Sequence, residues 1–219
     1  HTRFRNVTGV QTCALPISEG IDFNDPDIMD SDQIVDVPRL PRSMTVVGAG
    51  VIGIEYATIF SALDVAVTVI EPRASFLDFI DREIIEEFVH QLRDRGVSFR
   101  LGSPVASVTK DDSGRVVTTT QDGRSVRTEV LLYCAGRMGA TADLGLDKAG
   151  LETDARGRLA VDPTTFQTAI PHIYAAGDVI GFPSLASTSM EQGRIAACHA
   201  FGLPMPPAPA YYQIGRAHV

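Results

Sequence analysis

The feature of this sequence with the clearest chemical use is a glycine-rich hexapeptide. Residues 48–53 read Gly-Ala-Gly-Val-Ile-Gly, after the apolar run Met44–Val47 and before a stretch with helical periodicity, Ile52–Ala62. A glycine loop between a strand and a helix lets a pyrophosphate approach the backbone, where the N–H groups and dipole of the helix N-terminus attract it. The spacing predicts a dinucleotide-binding loop, whose expected contacts are Gly48, Gly50, Val51, Ile52 and Gly53.

An acidic residue stands where the next strand should end. Glu71 follows the β-branched run Val65–Ile70, about 20 positions after the glycine loop, where a carboxylate can bind the 2′-hydroxyl of a ribose. The alternative is a structural glycine turn with a solvated glutamate. Glu71 favours NAD, because a carboxylate would repel the 2′-phosphate of NADP, whereas Arg73 could meet such a phosphate or be merely solvated.

The surrounding pattern predicts the elements that would position these residues. The glycine loop belongs to a strand–turn–helix–strand unit, which indicates a Rossmann-like α/β fold with a parallel sheet. Asp-, Ser- and Gly-rich turns within Val105–Cys134 predict a three-stranded antiparallel meander inserted into it. The other expected elements are a helix over Asp81–Arg95, strands over Val97–Leu101 and His172–Ala176, and a last helix over Ser184–Phe201.

The composition restricts the class of protein. The 219 residues carry 19 Lys and Arg against 27 Asp and Glu, a net charge of −8, which argues against a nucleic-acid-binding protein. No apolar run reaches the roughly 18 residues that a membrane span needs, so a cytoplasmic protein is expected. Cys13, Cys134 and Cys198 are too few and too scattered for a disulfide framework or a zinc site, and no metal is expected.

Both ends of the chain read as foreign to the protein. Residues 1–18 and 213–219 can be read as translations of the two strands of one sequencing adapter, the alternative being disordered natural tails. Excluding them removes three arginines, which leaves 16 basic against 27 acidic residues and a net charge of −11. We therefore expect an internal piece of a larger protein.

Four segments in a fixed order resemble the pyridine nucleotide–disulfide oxidoreductase family of flavoproteins. They are VVGAGVIGIEYA, VTVIEPR, LLYCAGRMGAT and TAIPHIYAAGDVIGFPSLASTSMEQGRIAA, and the likeness covers most of residues 19–202. The domain organisation that this resemblance implies is a connecting segment at 19–41, a nicotinamide-dinucleotide-binding domain at 42–158 and the C-terminal part of an FAD-binding domain at 159–212.

The resemblance also implies roles for residues that spacing alone does not assign. Gly136 would lie against the nicotinamide nucleotide, and Asp178 would bind the ribityl–phosphate region of FAD. Glu55 would lie near the contact between nicotinamide and flavin, or would be a core-edge carboxylate in an ion pair. A helix N-terminus at Ser184, Leu185, Ala186 and Ser187 would lie beside the flavin pyrimidine ring and stabilise reduced, anionic flavin.

The implied activity is hydride transfer from NADPH to NAD through FAD, in a homodimer formed by a C-terminal domain. The alternatives are a dihydrolipoamide dehydrogenase or related disulfide reductase, and a non-catalytic dinucleotide-binding module that would purify without flavin. Dihydrolipoamide dehydrogenases usually carry a histidine at the position of Ser187, so its absence counts against that enzyme. A C-x4-C motif near the N-terminus of the whole protein would favour a disulfide reductase. The 219-residue chain itself is expected to hold a nicotinamide nucleotide, to bind FAD poorly and not to turn over.

Overall fold

A computed structural model describes residues 21–204, which divide into two compact units, residues 21–136 and residues 137–204. The adapter-derived segments predicted at 1–18 and 213–219 lie outside the described residues. The predicted domain boundary between residues 158 and 159 stays a prediction. Within residues 21–204, no helix is both long and apolar enough to cross a membrane.

The first unit is built on a five-stranded parallel sheet with the order β1-β8-β2-β3-β4. Val46 of β2 lies opposite Val69 of β3 on one side and Leu132 of β8 on the other, and all three are fully buried. Strands that are apolar on both faces require cover on both faces. The strands are β1 (Ile28–Asp30), β2 (Ser43–Val47), β3 (Ala66–Ile70), β4 (Ser98–Arg100) and β8 (Val130–Tyr133).

Strand β1 lies within the segment 19–41, for which the sequence predicted only a connection. Its three residues pair in parallel with β8, and Ile28 and Met29 are buried. A strand of this length is too short for an alternating pattern to show in the sequence, so only its pairing with β8 reveals it.

Two helices cover one face of the sheet. Helix α1 (Val51–Ala62) buries Ile54, Ala57 and Phe60 against it, and helix α2 (Arg82–Asp94) contributes Val89 and Leu92. Both helices lie within a residue of their predicted bounds. Ile84 of α2 points away from this core and is exposed.

A three-stranded antiparallel sheet with the order β5-β6-β7 supplies the cover for the other face. Val108 and Val116 pack in one cluster with Leu131 and Tyr133 of the parallel sheet. The predicted meander is therefore confirmed, and it completes the core of the first unit. Its strands are β5 (Val105–Lys110), β6 (Val116–Thr120) and β7 (Ser125–Thr128).

The second unit, residues 137–204, consists of turns, isolated bridges, two short 3-10 helices (Leu146–Ala149 and Gly177–Ile180) and one long helix, α3 (Ala186–Ala200). The strand predicted over His172–Ala176 is a single bridge between Tyr174 and Gln167. The backbone hydrogen bonds between this segment and the preceding turn do not follow a strand pattern. Ala175 N–H donates to the carbonyl oxygen of Phe166, and Thr168 N–H donates to the carbonyl oxygen of Ile173. A continuous strand needs a regular partner strand, and none occurs among the described residues of this unit.

Candidate functional site

The glycine loop joins the end of β2 to the start of α1, and two of its glycines are required by packing. Gly48 has a φ of +101°, and a Cβ there would lie 2.5 Å from the carbonyl oxygen of Cys134 at the end of β8. A Cβ on Gly53 would lie 2.0 Å from the carbonyl oxygen of Gly48. Both distances are well below van der Waals contact, so only glycine lets strand and helix approach this closely.

Gly50 differs from these two, because no atom lies within 4 Å of the position that its Cβ would take. It caps α1 in an extended conformation, and no side chain caps the helix. The first N–H groups of a helix have no acceptor within it. The loop therefore presents backbone donors beside open space, which is the arrangement that a pyrophosphate needs.

Glu71 lies directly after β3 and is 2% exposed. Its Oε2 accepts the N–H of Ala49, in the middle of the glycine loop, at 2.7 Å. Arg73 binds the same carboxylate through Nε at 2.7 Å to Oε1 and through Nη2 at 3.2 Å to Oε2, and its backbone N–H adds a bond of 3.1 Å to Oε1. The structure thus brings the glycine loop, Glu71 and Arg73 together, while their predicted contacts with a nucleotide stay a prediction. It also shows the Ala49 contact, which the sequence did not indicate.

Opposing effects act on the pKa of Glu71. Burial disfavours the charged form and raises this pKa, but the side-chain bond from Arg73 and the N–H groups of Ala49 and Arg73 outweigh it. The pKa of the Glu71 carboxyl is therefore below its ordinary value. The bond to Glu71 likewise raises the pKa of Arg73. The pair is ionised at neutral pH.

Two other predicted residues lie on elements next to the loop. Gly136 follows Cys134 and Ala135, which a Cβ on Gly48 would contact, and it has a φ of +140°. Glu55 is exposed on α1, and no ion pair is formed with it among residues 21–204. The alternative, in which Glu55 is a core-edge carboxylate in an ion pair, would need a basic partner, and Glu55 has none among residues 21–204.

In the second unit, Gly177 and Asp178 begin a short helical turn, and Gly177 has a φ of +84°. Gln192 of α3 is 3% exposed, and its Oε1 accepts the N–H of Gly177 at 2.7 Å. The side chain of Asp178 is half-buried beside this fixed turn. The role of Gln192 was not predicted from the sequence. Its spacing from Thr188 and Ile195 places it on the same face of the helix as these buried residues, and a polar residue on a buried face indicates a specific hydrogen bond.

The predicted helix N-terminus at 184–187 is the start of α3. Ser184 has a φ of +43°, Leu185 is the N-cap, and no side chain caps the helix. Ala186 and Ser187 are exposed in the first turn. The first N–H groups of α3 therefore face outward without an intrahelical acceptor, which is what an anion or an electron-rich ring would use.

The first unit has the fold and the loop of a dinucleotide-binding α/β protein. The profile of the family "Pyridine nucleotide-disulphide oxidoreductase" matches residues 7–193. The chain belongs to this family, and the family implies FAD and NAD(P) binding.

Relatives within the family are similar over most of this chain. The soluble pyridine nucleotide transhydrogenase of Mycobacterium tuberculosis is 54% identical over 185 residues, and that of Hahella chejuensis is 47% identical over 181. These matches cover 84% and 83% of this chain and 39% of each relative. The chain thus spans about two fifths of the length of these relatives.

Two solved structures with more than 25% sequence identity have the same fold. The HOCl-induced flavoprotein disulfide reductase RclA from Escherichia coli matches with a TM-score of 0.80 and 28% identity, over 90% of this chain and 45% of that one. LpdA from Mycobacterium tuberculosis matches with a TM-score of 0.75 and 34% identity, over 81% of this chain and 38% of that one. The prediction of family and fold class is confirmed.

Proposed function

We propose that this chain is part of a soluble pyridine nucleotide transhydrogenase, a flavoprotein that transfers hydride between NADPH and NAD through FAD. The observation that carries the proposal is the 54% identity to the curated transhydrogenases over 185 residues. The whole protein is expected to be cytoplasmic and homodimeric.

The first unit would hold the nicotinamide nucleotide. A Cβ on Gly50 would extend into open space beside the helix N-terminus, so the backbone there can approach a pyrophosphate closely. The N–H groups of Val51, Ile52 and Gly53 would bind it, and Glu71 or Arg73 would meet the adenosine ribose. Gly136 and Glu55 would lie towards the nicotinamide.

The second unit would contribute to the FAD site. Gln192 holds the N–H of Gly177, so the turn that carries Asp178 is fixed before any ligand binds. Asp178 would then accept hydrogen bonds from hydroxyl groups of the ribityl–phosphate region. The uncapped start of α3, at Ser184, Leu185, Ala186 and Ser187, would favour negative charge on a ring beside it.

The chemistry divides between cofactor and protein. FAD, when bound, supplies the centre that takes a hydride from one nicotinamide and gives it to another. The residues of this chain bind and orient: the glycine loop holds the pyrophosphate, and the start of α3 supplies a fixed electrostatic field. No side chain of residues 21–204 has to donate or accept a proton in this scheme.

A disulfide reductase is the second candidate, because RclA, with a TM-score of 0.80, is named as one. The deciding experiment uses the complete protein loaded with FAD and measures reduction of thio-NAD by NADPH, with lipoamide as the competing substrate. We expect rapid reduction of thio-NAD and none of lipoamide. The reverse result would replace the proposal with a disulfide reductase, and the 219-residue chain alone should show neither activity.

A further inference from the structure

A cavity of about 600 Å³ lies in the first unit between helix α2 and residues 74–80, the segment that leads into this helix from β3. It shares no lining residue with the glycine loop, with Glu71 or with Arg73. Its volume is typical of cavities that bind small molecules. We call it the α2 cavity, and its apolar lining consists of Phe76, Leu77, Ile80, Ile85, Val89 and Leu101.

The wall of the α2 cavity contains a residue in an uncommon backbone conformation. Leu77 has a φ of +52°, in the left-handed region that bulky residues rarely adopt, and it is 9% exposed. Its carbonyl oxygen accepts the N–H of Ile80 at 2.9 Å. Conformations of this kind persist where the surrounding structure holds them, and they cluster at binding sites. The fold therefore fixes this wall before any ligand binds.

The four charged residues that line the α2 cavity differ in their partners. Arg82 Nε donates to Glu86 at 2.7 Å, and Asp78 accepts the hydroxyl of Ser75 at 2.7 Å. The guanidinium of Arg93 forms no ion pair and no hydrogen bond within residues 21–204. Among the charged lining residues, Arg93 is thus the one whose donors are all left for a ligand.

Arg93 is separated from the other charges by the apolar lining. Arg82 begins α2 and Arg93 lies in its last turn, about 16 Å further along the helix axis. The guanidinium carbon of Arg93 is 5.9 Å from the centre of the Phe99 ring, which stacks on Phe76 of the cavity wall at 5.8 Å. The cavity therefore combines an elongated apolar wall with one cation at one end.

We propose that the α2 cavity binds a free fatty acid of medium chain length. The chain would lie along Phe76, Ile85 and Val89, where its methylene groups leave water, and the carboxylate would bind the guanidinium of Arg93. Burial of the chain supplies most of the affinity. The exposed charge pair contributes less and fixes the direction of the chain. The inference does not depend on nucleotide binding.

The test is titration calorimetry of the 219-residue chain with decanoate, below the concentration at which decanoate forms micelles. Decanol has the same chain without the charge and is the matched ligand. We expect saturable binding of decanoate at a single site and binding of decanol that is several-fold weaker. Saturating NAD+ should leave the affinity for decanoate unchanged, because the α2 cavity shares no lining residue with the glycine loop or Glu71.

Two pairs of variants locate the site. Ile85→Trp places a larger side chain in the cavity and should weaken decanoate binding about tenfold or more. Ile84→Trp, at a neighbouring position that is 62% exposed and outside the lining, should leave it unchanged. Arg93→Met should weaken decanoate binding about three- to fivefold and leave decanol binding unchanged. Arg95→Met, which removes an exposed charge just beyond the end of α2, is its control.

The outcomes separate this inference from the proposed function. The inference is wrong if decanoate does not bind, if decanoate and decanol bind equally, or if NAD+ displaces decanoate. It is also wrong if the chain sediments with phosphatidylglycerol vesicles but binds no decanoate, because a lipid surface would then be the partner. Should Ile85→Trp fail to fold by circular dichroism, the ratio of decanoate to decanol affinities in Arg93→Met decides. None of these results changes the case for nucleotide binding, which NAD+ titration of the same chain measures separately.

Discussion

The two units of this chain hold their candidate binding elements by different means. In residues 21–136, the glycine loop lies at the carboxyl end of the central strand β2, in a sheet covered on both faces. Gly48 packs against the residue after β8, Gly53 packs against the loop itself, and Glu71 after β3 binds the loop through Ala49 N–H. In residues 137–204, the buried clusters are small, and Phe182 beside the start of α3 is 81% exposed. The first site is positioned by packing between distant segments, and the second by turns and one buried amide.

The three α-helices also differ in whether a side chain caps their N-terminus. The side chain of Asp81 caps α2 by accepting the N–H of Glu83, whereas no side chain caps α1 or α3. The two uncapped helices are those that we propose for cofactor binding, one in each unit. A capping side chain would occupy the donors that a ligand needs.

The largest effect should come from Gly53→Ala, which tests whether packing positions the first site. Its Cβ would meet the Gly48 carbonyl, so the loop or α1 must shift, at a cost of about 3–5 kcal/mol in the free energy of unfolding. Urea denaturation and NAD+ titration measure the loss of stability and of binding. The control is Gly50→Ala, which should leave stability almost unchanged but weaken nucleotide binding. Equal stabilities for the two variants would contradict the packing argument.

Glu71→Ala should have the next largest effect, about 3 kcal/mol, because Ala49 and Arg73 lose a buried, charged acceptor. The pKa of Glu71 is lowered in the folded protein, so its contribution to stability is present above the ordinary value of 4.5 and is lost as the pH falls through the lower folded value.

Urea denaturation can compare the unmodified chain with Glu71→Ala at pH values from about 3 to about 7, a range that includes the ordinary pKa of a glutamate. It measures the difference between their free energies of unfolding at each pH. The stabilities of the unmodified chain and of Glu71→Ala should converge as the pH falls. Glu87→Ala, which removes an exposed carboxylate from the middle of α2, is the matched control and should change stability much less. A difference that stays constant with pH would show that the Glu71 charge does not matter.

Gln192→Leu tests the single buried amide of the second site. It leaves the N–H of Gly177 buried without its acceptor, which should cost about 1–2 kcal/mol. Hydrogen exchange at the Gly177 amide should become faster, while exchange at Ala49 in the first unit stays the same. Gln91→Leu, an exposed glutamine on α2, is the matched control. Unchanged exchange at Gly177 would mean that other contacts hold this turn.

Asp81→Ala should have the smallest effect, about 1 kcal/mol, because it removes the side-chain cap of α2. Thermal unfolding should register the loss, and NAD+ affinity should stay the same. If Asp81→Ala weakened NAD+ binding, the proposal that only the helices without a side-chain cap bind cofactors would be wrong.

Much of the first unit could be predicted from the sequence, because its signals are local. The glycine spacing, the apolar run before Glu71 and the turns at Asp111 and Gln121 each reflect a short-range rule. Strand β1 could not be predicted, since its only evidence is pairing with β8, about 100 residues away along the chain. The prediction of a strand over 172–176 was wrong, because an apolar run forms a strand only where a second strand pairs with it regularly, and this segment forms a single bridge.

The sequence by itself determined the class of fold, the position of the glycine loop and the residue types beside it, because these depend on periodicity and on the conformational freedom of glycine. Only the tertiary structure decided what those residues contact. It placed the Cys134 carbonyl against Gly48, and it filled the acceptor positions of Glu71 with Ala49 and Arg73. Hydrogen-bond capacity is used up by neighbours in space, and spacing along a chain does not record those neighbours.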